Sequence, residues 1–203
     1  MNAKRLISVL PGAAVLVTAA FLAGEAKAQD AITLGNGNIS GGTANQVINI
    51  PVFVRDKSLA PSTLDENTEP AAIQGIGVRV NYSPAGSVAS ASLARSVTCT
   101  GPATDFPGSG PGFVSLAATA QLATNNFAFT LDAPAPGNQC MTLTLTLSGA
   151  PTFPINVSLD SAFANLSDQN GTGATQETVA NGRLQVLGGV TITPVELQAF
   201  DAE

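Results

Sequence analysis

The sequence has no histidine, no tryptophan, one tyrosine and two cysteines. Without histidine there is no imidazole to act as a general base, to complete a Ser-His-Asp or Cys-His nucleophile system, or to ligate a metal. Without tryptophan the chain lacks the usual flat platform on which sugar faces stack, and Tyr82 sits in an alternating run that directs it to a core. Charge is scarce too, at 11% of residues. Polarity rests instead on Thr, Ser, Asn and Gln, as in many secreted β proteins. No Gly-rich loop follows a strand and opens a helix, so a phosphate cradle is not legible. The acids gather in the Asp65–Glu69 segment, which reads as a solvated loop, or stand singly at Asp105, Asp132, Asp160 and Asp168. A glycosidase needs two facing carboxylates, and none are apparent. No enzyme, no cofactor and no catalytic residue is expected.

What is present begins with an export signal. Lys4 and Arg5 precede an apolar run from Leu6 to about Gly24, and Ala26-Lys27-Ala28 supplies the small-x-small pattern of signal-peptidase substrates. Residues 1–28 read as a signal peptide cleaved between Ala28 and Gln29. No cysteine follows the cut, which argues against a lipoprotein. Pro11-Gly12 within the run argues against the rival, an uncleaved membrane anchor, so no membrane span is expected after cleavage. Beyond Ala28 the chain keeps five basic and thirteen acidic residues, a surface that repels nucleic acid and anionic lipid. Export carries Cys99 and Cys140 into an oxidising compartment, where a disulfide is the default; two buried free thiols are the alternative.

Apolar residues recur with a period of two nearly everywhere. Ile48, Ile50, Val52 and Val54 share one face of "QVINIPVFVRD". Ile76, Val78, Val80 and Tyr82 share a face of "IQGIGVRVNYSP", with Arg79 and Asn81 opposite. Leu143, Leu145 and Leu147 alternate with Thr142, Thr144 and Thr146. Such alternation describes strands with one face on a core and one in water. "FPINVSLD" and "GRLQVLGG" read alike, and Asn181-Gly182 is expected to form a two-residue hairpin turn. "GPATDFPGSGPG" and "KSLAPSTLDENTEP" read as long loops, and "SVASASLARS" as a helical turn or an edge strand. No segment past the signal holds a helical period over three turns. The pattern predicts an all-β, antiparallel β-sandwich of about nine strands. It forms one domain over residues 29–190, followed by a tail over 191–203.

The order of these strands resembles the cohesin domain. "AITLGNGNISGGTANQVINIPVFV" resembles its opening: a short strand, a Gly-rich turn, then a strand with proline in its middle, here Pro51. "IQGIGVRVNYSPAGSV" resembles the next landmark, a strand ending in a Tyr-Asp-Pro corner, with Ser83 here in place of Asp. "QCMTLTLTLSG" and "INVSLDSAFANLSDQNGTGATQETVANGRLQV" resemble the later strands and the closing turn. The resemblance covers about Ala31 to Leu187 and implies a jelly-roll sandwich in the superfamily that also holds some carbohydrate-binding modules. It implies a dockerin-like protein partner, and it transfers no contact residue, because the middle loops and the cysteine pair depart from the pattern. The tail "TPVELQAFDAE" resembles segments that follow β-sandwich domains in exported bacterial surface proteins, and reads as a docking strand or the remnant of a longer architecture.

Three expectations about binding follow. Asp168-Gln169-Asn170-Gly171 falls where the family places a turn, and a calcium loop would need about six oxygen ligands with a bidentate acid closing it. Glu177 is too isolated for that role, so no metal is expected near Asp168. Phe53, Phe127, Phe129, Phe153 and Phe163 read as core, leaving Phe106 and Phe113 as the exposed aromatic pair. The expected function is an exported, non-catalytic module for protein–protein recognition or attachment at the cell surface, with polysaccharide binding as the alternative and a structural subunit of a surface layer or fibre as a further one. A Thr-rich outer face, Thr142, Thr144 and Thr146, offers a flat polar surface for such a partner. Five Asn-x-Ser/Thr sequons, at Asn38, Asn81, Asn156, Asn165 and Asn170, matter only in a host that glycosylates them.

Overall fold

The computed structural model describes residues 30–35, 37–56, 73–96, 99, 103–120, 127, 133–167 and 176–195. The signal segment, the cut at Ala28–Gln29, the Asp65–Glu69 loop, Asp132, Asp168 to Gly171 and residues 196–203 lie outside the described residues. Val, Ile, Leu and Thr at period two form strands because alternate side chains reach one face of a pleated backbone. The described strands are β1 (Asp30–Leu34), β2 (Gly37–Gly42), β3 (Val47–Arg55), β4 (Gly75–Ser83), β5 (Val88–Arg95), β6 (Ala103–Gly110) and β7 (Phe113–Ala120). They continue with β8 (Asn138–Leu147), β9 (Ile155–Leu159), β10 (Asn165–Ser167), β11 (Gln176–Thr178), β12 (Leu184–Leu187) and β13 (Val190–Pro194). A 3₁₀ turn, Ala85–Ser87, rounds the Tyr82-Ser83-Pro84 corner. Among the described residues no helix is long and apolar enough to cross a membrane.

These strands build two sheets packed as a sandwich. One runs β12-β1-β3-β8-β5. The other runs β11-β10-β4-β9-β13-β2, with β7 on the far edge of β4 and β6 outside β7. Ile48, Ile50, Val52 and Val54 are buried as the alternation requires, and so are Ile76, Val78 and Val80 facing them from the second sheet. Leu143, Leu145 and Leu147 are fully buried, and Tyr82 is half-buried against the same core. Each of the buried aliphatic side chains stabilises the fold by about 1.5–3 kcal/mol relative to exposure. Pro51 fits inside a central strand because its carbonyl accepts from Gly35 N–H at 2.8 Å, so its polar edge faces the end of β1 rather than β8. The missing proline N–H therefore removes no bond of the β3–β8 ladder.

Two of the crossings between the sheets run side by side. β1 passes into β2 through Gly35, and β12 passes into β13 through Gly188 and Gly189. Gly37 N–H bonds the Gly189 carbonyl at 3.2 Å, holding the two crossings together. Gly188 has φ +80, and a Cβ there would collide with the Leu34 carbonyl, so only glycine serves. Because both crossings run the same way, β1–β12 and β13–β2 are parallel, while every other described pair is antiparallel. β13 lies between β9 and β2. The boundary expected at residue 190 therefore falls inside a strand, and Thr191–Pro194 belong to the sandwich.

Three local expectations need correction. Thirteen strands are described where periodicity marks about nine. β10 and β11, at three residues each, are too short to show a period. β6 lies within the expected Gly101–Gly112 loop; it is almost wholly exposed and so carries no apolar alternation. Asn181-Gly182 does turn the chain, with Gly182 at φ +73 and Asn181 Oδ1 accepting from Thr178 N–H at 3.0 Å and Arg183 N–H at 3.2 Å. It does not close a hairpin: β11 before it pairs with β10 and β12 after it pairs with β1, in the opposite sheet. The ambiguous "SVASASLARS" resolves as the edge strand β5 after the 3₁₀ turn.

Cys99 and Cys140 are bonded, with Cα atoms 4.9 Å apart and both residues fully buried. The bridge ties the turn after β5 to the start of β8.

Candidate functional site

Period two leaves each sheet an outer face, and the two faces differ. Outside the β3–β8–β5 region stand Thr142, Thr144 and Thr146 between Asn49 and the serines of β5. Thr144 Oγ1 donates to Asn49 Oδ1 at 2.8 Å, so this hydroxyl is already bonded within the sheet. A shallow groove of about 580 Å³ on the same sheet is lined by Phe53, Leu187, Pro136 and backbone near Gly188, with few polar groups to orient a ligand.

The outer face of β6–β7–β4–β9 carries the chemistry. Register places Phe106 opposite Ala117, Gly108 opposite Ser115 and Gly110 opposite Phe113. Continuing inward, Ala117 meets Gly77, Ser115 meets Arg79 and Phe113 meets Asn81. Phe113 lies down across Gly110, whose missing Cβ leaves room for the ring edge. Arg79 projects from the centre of this face. Its guanidinium lies 4.4 Å from the Phe113 ring centroid on one side and 3.1 Å from that of Phe163 on the other.

Phe163 reaches Arg79 because of the turn after β9. Asp160 N–H bonds the Arg79 carbonyl at 2.9 Å, docking the turn on β4. Asp160 then closes the turn by accepting from Phe163 N–H and Ala164 N–H at its carbonyl, each at 3.1 Å, and from Ala162 N–H at Oδ1 at 3.0 Å. Asp160 Oδ2 stands 4.0 Å from Arg79 Nη1, an ion pair too long for a hydrogen bond. Arg79 Nε is buried with no hydrogen-bond partner. The ring quadrupoles thus hold the cation, for about 0.5–2 kcal/mol per contact, with the Asp160 carboxylate beside it.

The expected aromatic pair is therefore half of the site. Phe106 is 55% exposed as predicted, and Phe113 is half-buried over Arg79. Phe163, read as core, is 46% exposed and belongs to the face. The error has a local cause: Phe163 follows a strand but sits in the Asp160 turn, where period two no longer assigns a side. Phe127 is buried as expected, Phe53 and Phe153 are half-buried, and Phe129 is outside the described residues. Asp30 and Asp56, not singled out from the sequence, are buried beside the Ala31–Arg55 pair, and Glu177 is buried in β11. Their strand parity, shared with Ile32 and Val54 for the first two, is a signal the sequence carries. Among the described residues no three His, Cys, Asp or Glu side chains converge as a metal site requires.

The sequence matches no protein-family model and no curated protein. Solved structures do match. The third cohesin of ScaC from Acetivibrio cellulolyticus, solved with the ScaB dockerin, aligns over 83% of this chain and 100% of its own, at 14% identity and TM-score 0.55. The sixth cohesin of the same organism's scaffoldin B, in complex with a Cel5 dockerin, aligns over 83% and 100% at 10% identity and TM-score 0.56. A type II cohesin domain from the A. cellulolyticus cellulosome aligns over 81% and 95% at 8% identity and TM-score 0.51. At such identities the likeness is one of fold: this chain is a cohesin-like β-sandwich.

Proposed function

We propose that this protein is an exported, non-catalytic module that recognises a protein partner through the outer face of β6–β7–β4–β9. The observation that carries the reading is Arg79, clamped between Phe113 and Phe163 beside the exposed Phe106. Aromatic and arginine side chains on a flat, otherwise small and polar surface make the anchor set of a protein interface. The solved relatives, each under 15% identical, include cohesins captured with dockerins, which supports a protein as the partner class. The partly exposed Arg79 cation favours a partner that brings a carboxylate or backbone carbonyl to the centre of its contact. The test immobilises residues 29–203, captures partners from the host's secreted proteins, identifies them and titrates each one. Arg79→Ala and Phe106→Ala are each expected to weaken binding about tenfold or more. A captured protein that binds both variants as tightly as the parent sinks this face as the site.

Polysaccharide binding is the second reading, favoured by the exposed rings of Phe106 and Phe163. Sedimentation with cellulose, chitin and xylan separates the two: retention that disappears in Phe106→Ala supports the glycan. Export is tested separately. Intact-mass analysis of secreted protein is expected to show a chain beginning at Gln29, and a mass retaining residues 1–28 would refute cleavage.

A further inference from the structure

The face just described has one weakly built border. β6 is its outermost strand, and among the described residues it pairs with β7 alone. Its sequence, ATDFPGSG, is a poor strand: Pro107 lacks an N–H, and Gly108 and Gly110 pack no side chain. Yet Asp105 and Phe106 are held in register against Ala118 and Ala117.

The additional hold comes from the opposite sheet. Arg95 ends β5, the edge strand facing β6 across the open side of the sandwich. Its Nε donates to Asp105 Oδ1 at 2.6 Å, and its Nη1 donates to the Cys99 carbonyl at 3.1 Å. The Phe127 ring lies 6.0 Å from the guanidinium, and the side chain is only 18% exposed. Cys99 is itself anchored. The disulfide binds it to Cys140 in β8, its N–H bonds the Ser96 carbonyl at 3.1 Å, and Ser96 N–H bonds the Cys140 carbonyl at 2.8 Å. Ser96 Oγ also donates to the Gln139 carbonyl. One planar fork thus joins a covalently anchored turn to a carboxylate next to Phe106, a geometry that lysine's single ammonium does not reproduce.

We propose that Arg95 is a positioning residue for the binding face, setting the place of β6, and with it the Phe106 ring, by tying Asp105 to the disulfide-anchored carbonyl of Cys99. Its functional consequence rests on the protein-binding reading; the positioning itself is measured without a partner. Amide hydrogen exchange on disulfide-intact residues 29–203 reads it directly. In Arg95→Gln the amides joining β6 to β7 are expected to exchange about five- to tenfold faster, while those joining β3 to β8 stay within about twofold of the parent. Asp105→Asn is expected to do the same, and the double variant to add nothing, because both changes cut one link. Unchanged β6 exchange, a rise shared equally by β3 and β8, or additive effects in the double variant would overturn the proposal. If Arg95→Gln fails to fold, Asp105→Asn, which alters the more exposed partner, decides by the same measure. Failure of the face reading shows separately, as Phe106→Ala that leaves both partner binding and β6 exchange unaltered.

Discussion

Replacing Cys99 and Cys140 together by alanine is expected to lower stability by roughly 4 kcal/mol, and the melting temperature by roughly 8–16 °C for a domain of this size. The bridge spans 41 residues of sequence, a stretch that includes β6 and β7. Cutting it returns the loop-closure entropy of that stretch to the unfolded chain, which is where most of the loss arises in the chain-entropy account. The folded state loses less directly, because Ser96 N–H keeps its bond to the Cys140 carbonyl. Urea unfolding of parent and variant, beside the parent under a strong dithiol, checks the result. The reduced parent should approach the variant. A variant melting within a degree or two of the parent would show that the bridge contributes little. Free-thiol labelling of the denatured, unreduced parent should find no thiol.

Leu145→Ala is expected to cost about 2–5 kcal/mol, against about 1 kcal/mol or less for Thr144→Ala next to it. Leu145 is fully buried in β8 and pairs with Ile48 on one side and Ala91 on the other. Strands on both sides hold the backbone, so the void left by truncation cannot collapse, and the cavity adds to the lost transfer energy. Thr144 faces outward and loses one hydrogen bond, to Asn49, that water replaces. Chemical denaturation of both variants decides it: equal losses would mean that β8 does not divide core from surface as the structure places it.

The same two residues show what local pattern can decide. Alternation alone assigns Leu145 inward and Thr144 outward, and it does the same along β3, β4 and β9, because side-chain direction in a strand follows parity. It fails where side chains are exposed on both sides, as in β6, and where a strand is too short to show a period, as in β10 and β11. The Asn181-Gly182 turn is legible as a turn, since positive φ is a local matter. Its role as a crossing between sheets is not, because the partners of β11 and β12 come from distant parts of the chain.

The binding face divides in the same way. Phe106 can be picked out because a ring in a Gly/Pro-rich stretch has no core to enter, and the lack of histidine excludes imidazole chemistry outright. Arg79 can be placed opposite Ile76 and Val78 by parity. That Phe113 and Phe163 close on it from two sides is beyond such reasoning, for they lie on different segments brought together only when β7 pairs with β4 and the Asp160 turn docks on the Arg79 carbonyl. Likewise Arg95, Asp105 and Cys99 meet only across the open edge between two sheets. The sequence by itself determined which residues face the core and which chemistry is absent, because both depend on parity and composition. The tertiary structure alone decided which outward residues stand together, because that depends on long-range pairing, which no local pattern encodes.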